Sequence, residues 1–113
     1  MNLNLSEDQQ ALQDTLRKFA AKESSFAKRK ALAAEQAAGA ANATGFSPLA
    51  WKQLAEIGVL ALPFEEAYGG LGGSALDTMV VMEELGRGLM IEPYLGTVIL
   101  SGGLIAGLGS ASQ

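Results

Sequence analysis

The 113 residues include neither Cys nor His. That removes a thiolate nucleophile, an imidazole base, a disulfide and the usual zinc ligands. Asp, Glu, Lys and Tyr remain for acid or base work, and any redox chemistry has to come from a bound cofactor. Three local patterns use the groups that are left. Gly70, Gly72 and Ala75, within Gly69-Gly70-Leu71-Gly72-Gly73-Ser74-Ala75, fit the form G-x-G-x-x-A ahead of a helix, where backbone N–H groups can hold a phosphate. Glu65 and Glu66 form an adjacent carboxylate pair, and Tyr68 and Tyr94 offer hydroxyls.

Spacing argues against chemistry at each. A dinucleotide loop follows directly on a buried strand, yet Pro63 to Tyr68 separates the apolar Val59 to Leu62 from the glycines. Glu65 and Glu66 would repel a phosphate, and no Lys stands in the P-loop position. The glycines read as a turn that needs positive φ. Adjacent loop carboxylates diverge, so Glu65 and Glu66 read as solvated acids. The tyrosines read as buried rings with a hydroxyl at the rim, and Met79, Met82 and Met90 as core filler.

Helices have to position whatever site exists. Ser6-Glu7-Asp8-Gln9 is a capping box, and Leu12, Leu16, Phe19 and Ala20 fall on one stripe behind it, which predicts an amphipathic helix over 6–22. Residues 25–38 are rich in helix formers but carry only Phe26 and Leu32 as large apolar groups, a weak packing signal. Gly39 to Phe46 is small and polar, as in an exposed connection. Ser47-Pro48 opens a third helix over 48–57, stopped by Gly58, with Trp51, Leu54, Ala55 and Gly58 on its inner side and Trp51 as the main anchor. Gln53 faces away with Lys52 and Glu56. Ser74 to Asp77 caps a fourth over 75–89 that is apolar around most of its circumference, with Glu83 and Arg87 as a surface pair. A fifth is expected over 93–107. Ser110-Ala111-Ser112-Gln113 is one more capping box, which predicts that the chain stops in the first turn of a sixth helix.

Composition narrows the partners. The 8 basic and 12 acidic residues give a formal net charge of −4, which offers no continuous positive field for nucleic acid. The one basic run, Lys28-Arg29-Lys30, reads as a solvated helix face. At 49% hydrophobic and 18% charged residues, some apolar surface is expected to meet a partner. No 18-residue apolar stretch exists and Met1 to Asn4 lacks the pattern of a signal peptide, so no membrane association and a cytoplasmic location are expected.

Taken in order, these motifs resemble the N-terminal helical domain of the acyl-CoA dehydrogenases. The resemblance covers nearly the whole chain. It rests on Ser6 to Gln9 running into Leu16-Arg17-Lys18-Phe19, on Trp51 to Leu60, on Pro63 through Glu65-Glu66 to Tyr68-Gly69-Gly70-Leu71-Gly72, on Glu83-Glu84-Leu85-Gly86-Arg87, and on Gly109-Ser110 with Gln113. The family's compact Pro-Glu-Glu-Tyr-Gly-Gly is interrupted here by Phe64 and Ala67. Glu92 to Val98 is similar to a bacterial subgroup that includes small subunits of two-component dehydrogenases, some of which lack the usual catalytic Glu.

The resemblance implies an all-α bundle of about five helices, truncated before a middle β-barrel and a C-terminal helical domain. It implies a parent enzyme that uses FAD to desaturate acyl-CoA thioesters between Cα and Cβ, passes electrons to a transfer acceptor, and assembles as a homo-oligomer or with a sister subunit. In the family this domain closes one wall of the acyl pocket. By position that points to Tyr94, Leu95 and Val98 as substrate-binding residues, with none catalytic and none holding the cofactor, so the chain alone is expected to be inactive. Two competing readings are a non-enzymatic helical interaction module and a nucleotide-binding α/β fragment.

Overall fold

The computed structural model describes residues 4–113; Met1 to Leu3, part of the stretch read as lacking a signal-peptide pattern, lie outside the described residues. Among the described residues there is no strand, so the α/β alternative is set aside. Helix α1 spans Glu7–Glu23 behind the expected capping box. Gln9 N donates to Ser6 Oγ over 3.2 Å, and Ser6 N donates back to Gln9 Oε1 over 3.0 Å. The reciprocal pair satisfies two donors that a helix start leaves open, and Glu7 and Asp8 complement the dipole. Leu16 and Ala20 are buried, with Leu12 and Phe19 packed partly beside the core.

Helix α2 (Phe26–Ala37), capped by Ser25, buries no residue, and Phe26 lies exposed. Helix α3 (Pro48–Ile57) starts with Ser47 and Pro48, as expected, and stops at Gly58, whose φ of 97° only glycine adopts without strain. Its inward residues differ from the expectation. Ala50 and Leu54 are fully buried, Trp51 is half-buried and edge-on to Phe46 at 6.4 Å, and Ala55 is exposed. The stripe that faces the core runs through Ala50, Leu54 and Ile57 at i, i+4 and i+7, and the indole packs on its margin. Gln53 also turns partly inward, with Oε1 buried and unpaired.

Helix α4 (Ala75–Arg87) carries the second capping box, Ser74 with Asp77, and buries Val80, Val81, Glu84 and Leu85. Met79, expected in the core, is exposed, while Met82 and Met90 pack partly against the core. Helices α1 and α4 lie side by side and run parallel. Gln9 meets Asp77, Arg17 meets Glu84, and a Cβ built on Gly88 would come 2.6 Å from the Ala20 Cβ. The near-constant offset along both helices defines the direction.

The expected single helix over 93–107 is two segments. Leu95–Gly102 is wound as a π-helix, and α5 (Gly103–Leu108) continues it as an α-helix. The wider π turn brings Gly102 against the Phe64 ring, where a Cβ would lie 2.5 Å from Phe64 Cζ. Ser101 Oγ donates to Gly96 O over 2.8 Å, a bond across the same wide turn. Periodicity cannot separate π from α winding in a stretch so rich in Gly. The core gathers Leu16 from α1, Leu54 from α3, Val59 from the turn after it, Val81 and Leu85 from α4, and Tyr94 and Val98 from the last segment.

Candidate functional site: an apolar flank and groove

The glycine segment is a turn, as its spacing implied, and its donors are already committed. Gly70 N donates to Glu65 O, Leu71 N to Ala61 O, Gly72 N to Phe64 O and Gly73 N to Leu62 O, over 2.7 to 3.1 Å. Gly69 and Gly72 take positive φ, and a Cβ on Gly70 would stand 2.0 Å from the Phe64 carbonyl oxygen. Backbone amides bonded to backbone carbonyls have nothing to offer a diphosphate. Glu65 and Glu66 are exposed and in no ion pair among the described residues, consistent with solvated acids. Tyr68 is exposed rather than buried, because the short 3-10 turn Glu66–Tyr68 turns its ring outward.

The three positions singled out near the end of the chain are not brought together. Tyr94 and Val98 are buried at 2% and 4% exposure, whereas Leu95 is 51% exposed. Tyr94 Oη donates to Val59 O over 3.2 Å, and burial pushes its phenol up to about 12. That phenol is a structural donor throughout the physiological range. Tyr94 and Val98 hold the π segment down on the core, and Leu95 is left on the outer side.

The feature that stands out is apolar surface. Leu100, Leu104 and Leu108 recur at intervals of four along the last two segments and are all more than half exposed, with Ile105 beside them at 50%. Ile105 also walls a groove of about 690 Å³ that runs between the turn Leu60 to Gly70 and the residues from Gly102 to Gln113. Phe64 and Tyr68 form its apolar side, and Glu65 is its one charged lining side chain. Ser110, Ser112 and Gln113 line its other end. Among the described residues no group of His, Cys, Asp or Glu could hold a metal ion.

Charge clusters elsewhere. Glu84 is fully buried on α4, and Arg17 of α1 meets it with two bonds, Nη2 to Oε1 at 2.7 Å and Nε to Oε2 at 3.2 Å. Arg87 Nε adds a contact at 3.4 Å and Arg87 Nη2 pairs with Glu83 at 3.1 Å, the expected surface pair. The Arg17 hydrogen bond holds the Glu84 carboxyl below the usual range against the opposing effect of desolvation. Arg29, expected on a solvated face with Lys28 and Lys30, instead bonds Ser24 Oγ and the carbonyls of Ser24 and Gly88. These arginines border a smaller cleft of about 290 Å³, but each already has acceptors. Sequence reading missed the Glu84 site, since its partner is 67 residues away and neither residue carries a local signal.

Among the described residues no helix is long and apolar enough to cross a membrane. No solved structure gives a significant match to the chain. Curated sequences do. The chain is 36% identical over 97 residues to the acyl-CoA dehydrogenase IpdE2 of Mycolicibacterium smegmatis, covering 84% of this chain and 29% of that one. It is 34% identical over 102 residues to IpdE2 of Mycobacterium tuberculosis, covering 88% and 30%. It is 33% identical over 88 residues to the probable acyl-CoA dehydrogenase YngJ of Bacillus subtilis, covering 77% and 20%. The chain therefore spans less than a third of the length of these relatives. The family model described as acyl-CoA dehydrogenase, N-terminal domain, matches residues 6–113, which takes in all five α-helices, both capping boxes and the glycine turn. The chain belongs to the acyl-CoA dehydrogenase family, whose N-terminal domain it represents.

Proposed function

We propose that this chain is the N-terminal portion of an FAD-dependent acyl-CoA dehydrogenase, and that it shapes one apolar wall of the cavity in which an acyl-CoA thioester is α,β-desaturated. The observation that carries the reading is the open row Leu100, Leu104 and Leu108 with Ile105, on a chain assigned to the family over residues 6–113. A row of that kind on a domain this small is surface built to be covered. Leu95 offers the acyl chain a methyl-bearing side chain, while Tyr94 and Val98 set its position from beneath. FAD, when bound, supplies the hydride acceptor. The catalytic carboxylate and the flavin contacts belong to a middle β-barrel and a C-terminal helical domain outside these residues, so the 113-residue chain alone is inactive. The parent is a cytoplasmic oligomer, formed with its own kind or with a sister subunit, and it delivers electrons to a transfer protein.

The uncut gene product tests this. Loaded with FAD and given an acyl-CoA, it is expected to lose its flavin absorbance as substrate reduces the cofactor. A colourless protein that never takes up FAD would overturn the reading in favour of a helical interaction module, which the same open apolar surface would serve.

A further inference from the structure

Helices α1 and α4 end side by side, and Arg29 of α2 reaches both ends: its Nη1 donates to the carbonyls of Ser24 and Gly88, the residues that close the two helices. The cleft of about 290 Å³ lies at this junction, with space for roughly ten water volumes. Ala20, Ala21 and Gly88 give its lining little bulk, while Arg17, Arg29, Arg87 and Glu84 are its charged residues. Three guanidinium groups against one carboxylate leave that lining with a surplus of two positive charges. The wider surroundings have the same sign, since residues 17–30 and 83–87 hold seven of the eight basic residues and only three of the twelve acids.

Each arginine has acceptors already, yet none is saturated. Arg17 commits Nε and Nη2 to Glu84, Arg29 commits Nη1 to the helix ends, and Arg87 commits Nη2 to Glu83 and Nε to Glu84. Nη1 of Arg17, Nε and Nη2 of Arg29, and Nη1 of Arg87 have no acceptor among the described residues. Two features oppose an incoming anion, and both are answered within the protein. Glu84 is fully buried and held by Arg17 through two bonds, and the carbonyl ends of α1 and α4, which carry partial negative charge, are met by Arg29 Nη1.

We propose that this cleft binds the dianionic phosphate group of a small molecule, either the free ion or a monoester. Above pH 7 such a group carries nearly two negative charges and at least three acceptor oxygens, which matches the surplus charge and allows one oxygen for each guanidinium. A monocarboxylate brings one charge and two oxygens, so it satisfies fewer of the three arginines.

The test follows the side-chain Nε–Hε signals of Arg17, Arg29 and Arg87 by NMR in the 113-residue chain, above pH 7, as inorganic phosphate or methyl phosphate replaces chloride at constant ionic strength. The three signals are expected to shift together and to saturate. Binding of both probes assigns the cleft to a phosphate ester, and binding of inorganic phosphate alone assigns it to the free ion. Arg87→Gln is expected to weaken binding about tenfold, the worth of one charge-assisted hydrogen bond. Ala21→Leu keeps every arginine but fills the cleft, and is expected to weaken binding as well. Both positions are exposed, and an unchanged helical circular dichroism spectrum confirms the fold of each variant. The proposal is overturned if neither probe binds, if the shifts climb without saturating, or if Arg87→Gln or Ala21→Leu leaves the affinity as it was. Each of these results is compatible with flavin reduction in the uncut gene product, so the two readings fail separately.

Discussion

Gln9 and Asp77 tie the two capping boxes of the molecule to each other: Gln9 Nε2 donates to Asp77 Oδ1 over 2.9 Å. Each is the third residue of its own helix, and each already serves its own cap. Gln9 Oε1 accepts from Ser6 N, while Asp77 Oδ2 accepts from Ser74 N and Ser74 Oγ. One contact therefore fixes the starts of α1 and α4 in both orientation and register. Ser74→Ala is expected to cost about 1 kcal/mol, the usual worth of an N-cap. In a double-mutant cycle by urea unfolding, Gln9→Ala and Asp77→Asn are expected to be non-additive by about 0.5 kcal/mol or more. Simple additivity would mean the two starts are independent.

Acid should loosen this same pair of helices. Hydrogen bonds from Ser74 and Gln9 hold Asp77 below its ordinary 3.8, and Arg17 holds Glu84 below its ordinary 4.5. A carboxyl whose folded value is depressed contributes stability that is complete above its unfolded value and is lost as pH falls through the folded one. The thermal midpoint is expected to be level above pH 4.5 as far as these two groups decide it, and to fall below that. Asp77→Asn and Glu84→Gln should each flatten the fall.

Glu92 carries the opposite sign. Burial raises its carboxyl, its own and the Ile91 backbone N–H oppose the shift, and Glu23 adds to it; Oε2 is buried without a partner. A raised folded value means that the ionised form is penalised in the fold, so stability is gained as pH falls through that value toward 4.5. Glu92→Gln is expected to raise the midpoint at pH 7 and to make no difference at pH 3. A lowered midpoint at pH 7 would show that the charge is needed.

Arg17→Met takes both short hydrogen bonds from the Glu84 carboxylate, whereas Arg17→Met with Glu84→Leu removes the buried charge as well. The single variant is expected to be less stable than the double one, because a buried carboxylate left with only the longer 3.4 Å contact to Arg87 is worse than none. Chemical unfolding of the two proteins decides it.

Two glycines should respond in opposite ways. Gly86→Ala, in α4 with open space around the new methyl, is expected to stabilise by about 0.5 to 1 kcal/mol. Gly70→Ala puts that methyl onto the Phe64 carbonyl and should lower the thermal midpoint by opening the turn. A raised midpoint for Gly70→Ala would show that the turn accommodates the methyl.

Most of the architecture is legible in the sequence because it is written locally. Ser6, Ser47 and Ser74 mark three helix starts and Gly58 one stop, each through atoms within four residues of where they act. The absence of buried residues in α2 matches its shortage of large apolar groups, which are Phe26 and Leu32 alone. What stayed hidden depends on distance or on backbone winding. Nothing near Glu84 announces Arg17, and nothing in Leu95 to Gly102 separates π from α winding until Phe64 arrives against Gly102. Tyr94, Leu95 and Val98 were grouped by their position in the chain, and the wound segment sends the first and third inward and the second out.

The parallel pairing of α1 with α4 also bears on how the molecule comes into being. Contacts such as Arg17 with Glu84 join residues 67 apart, so closing them means ordering a large loop before any reward arrives. On a ribosome, the first helix has to wait through the synthesis of α2, α3 and the glycine turn before its neighbour exists. The pace of assembly is therefore governed by that late meeting rather than by the quick coiling of any single helix.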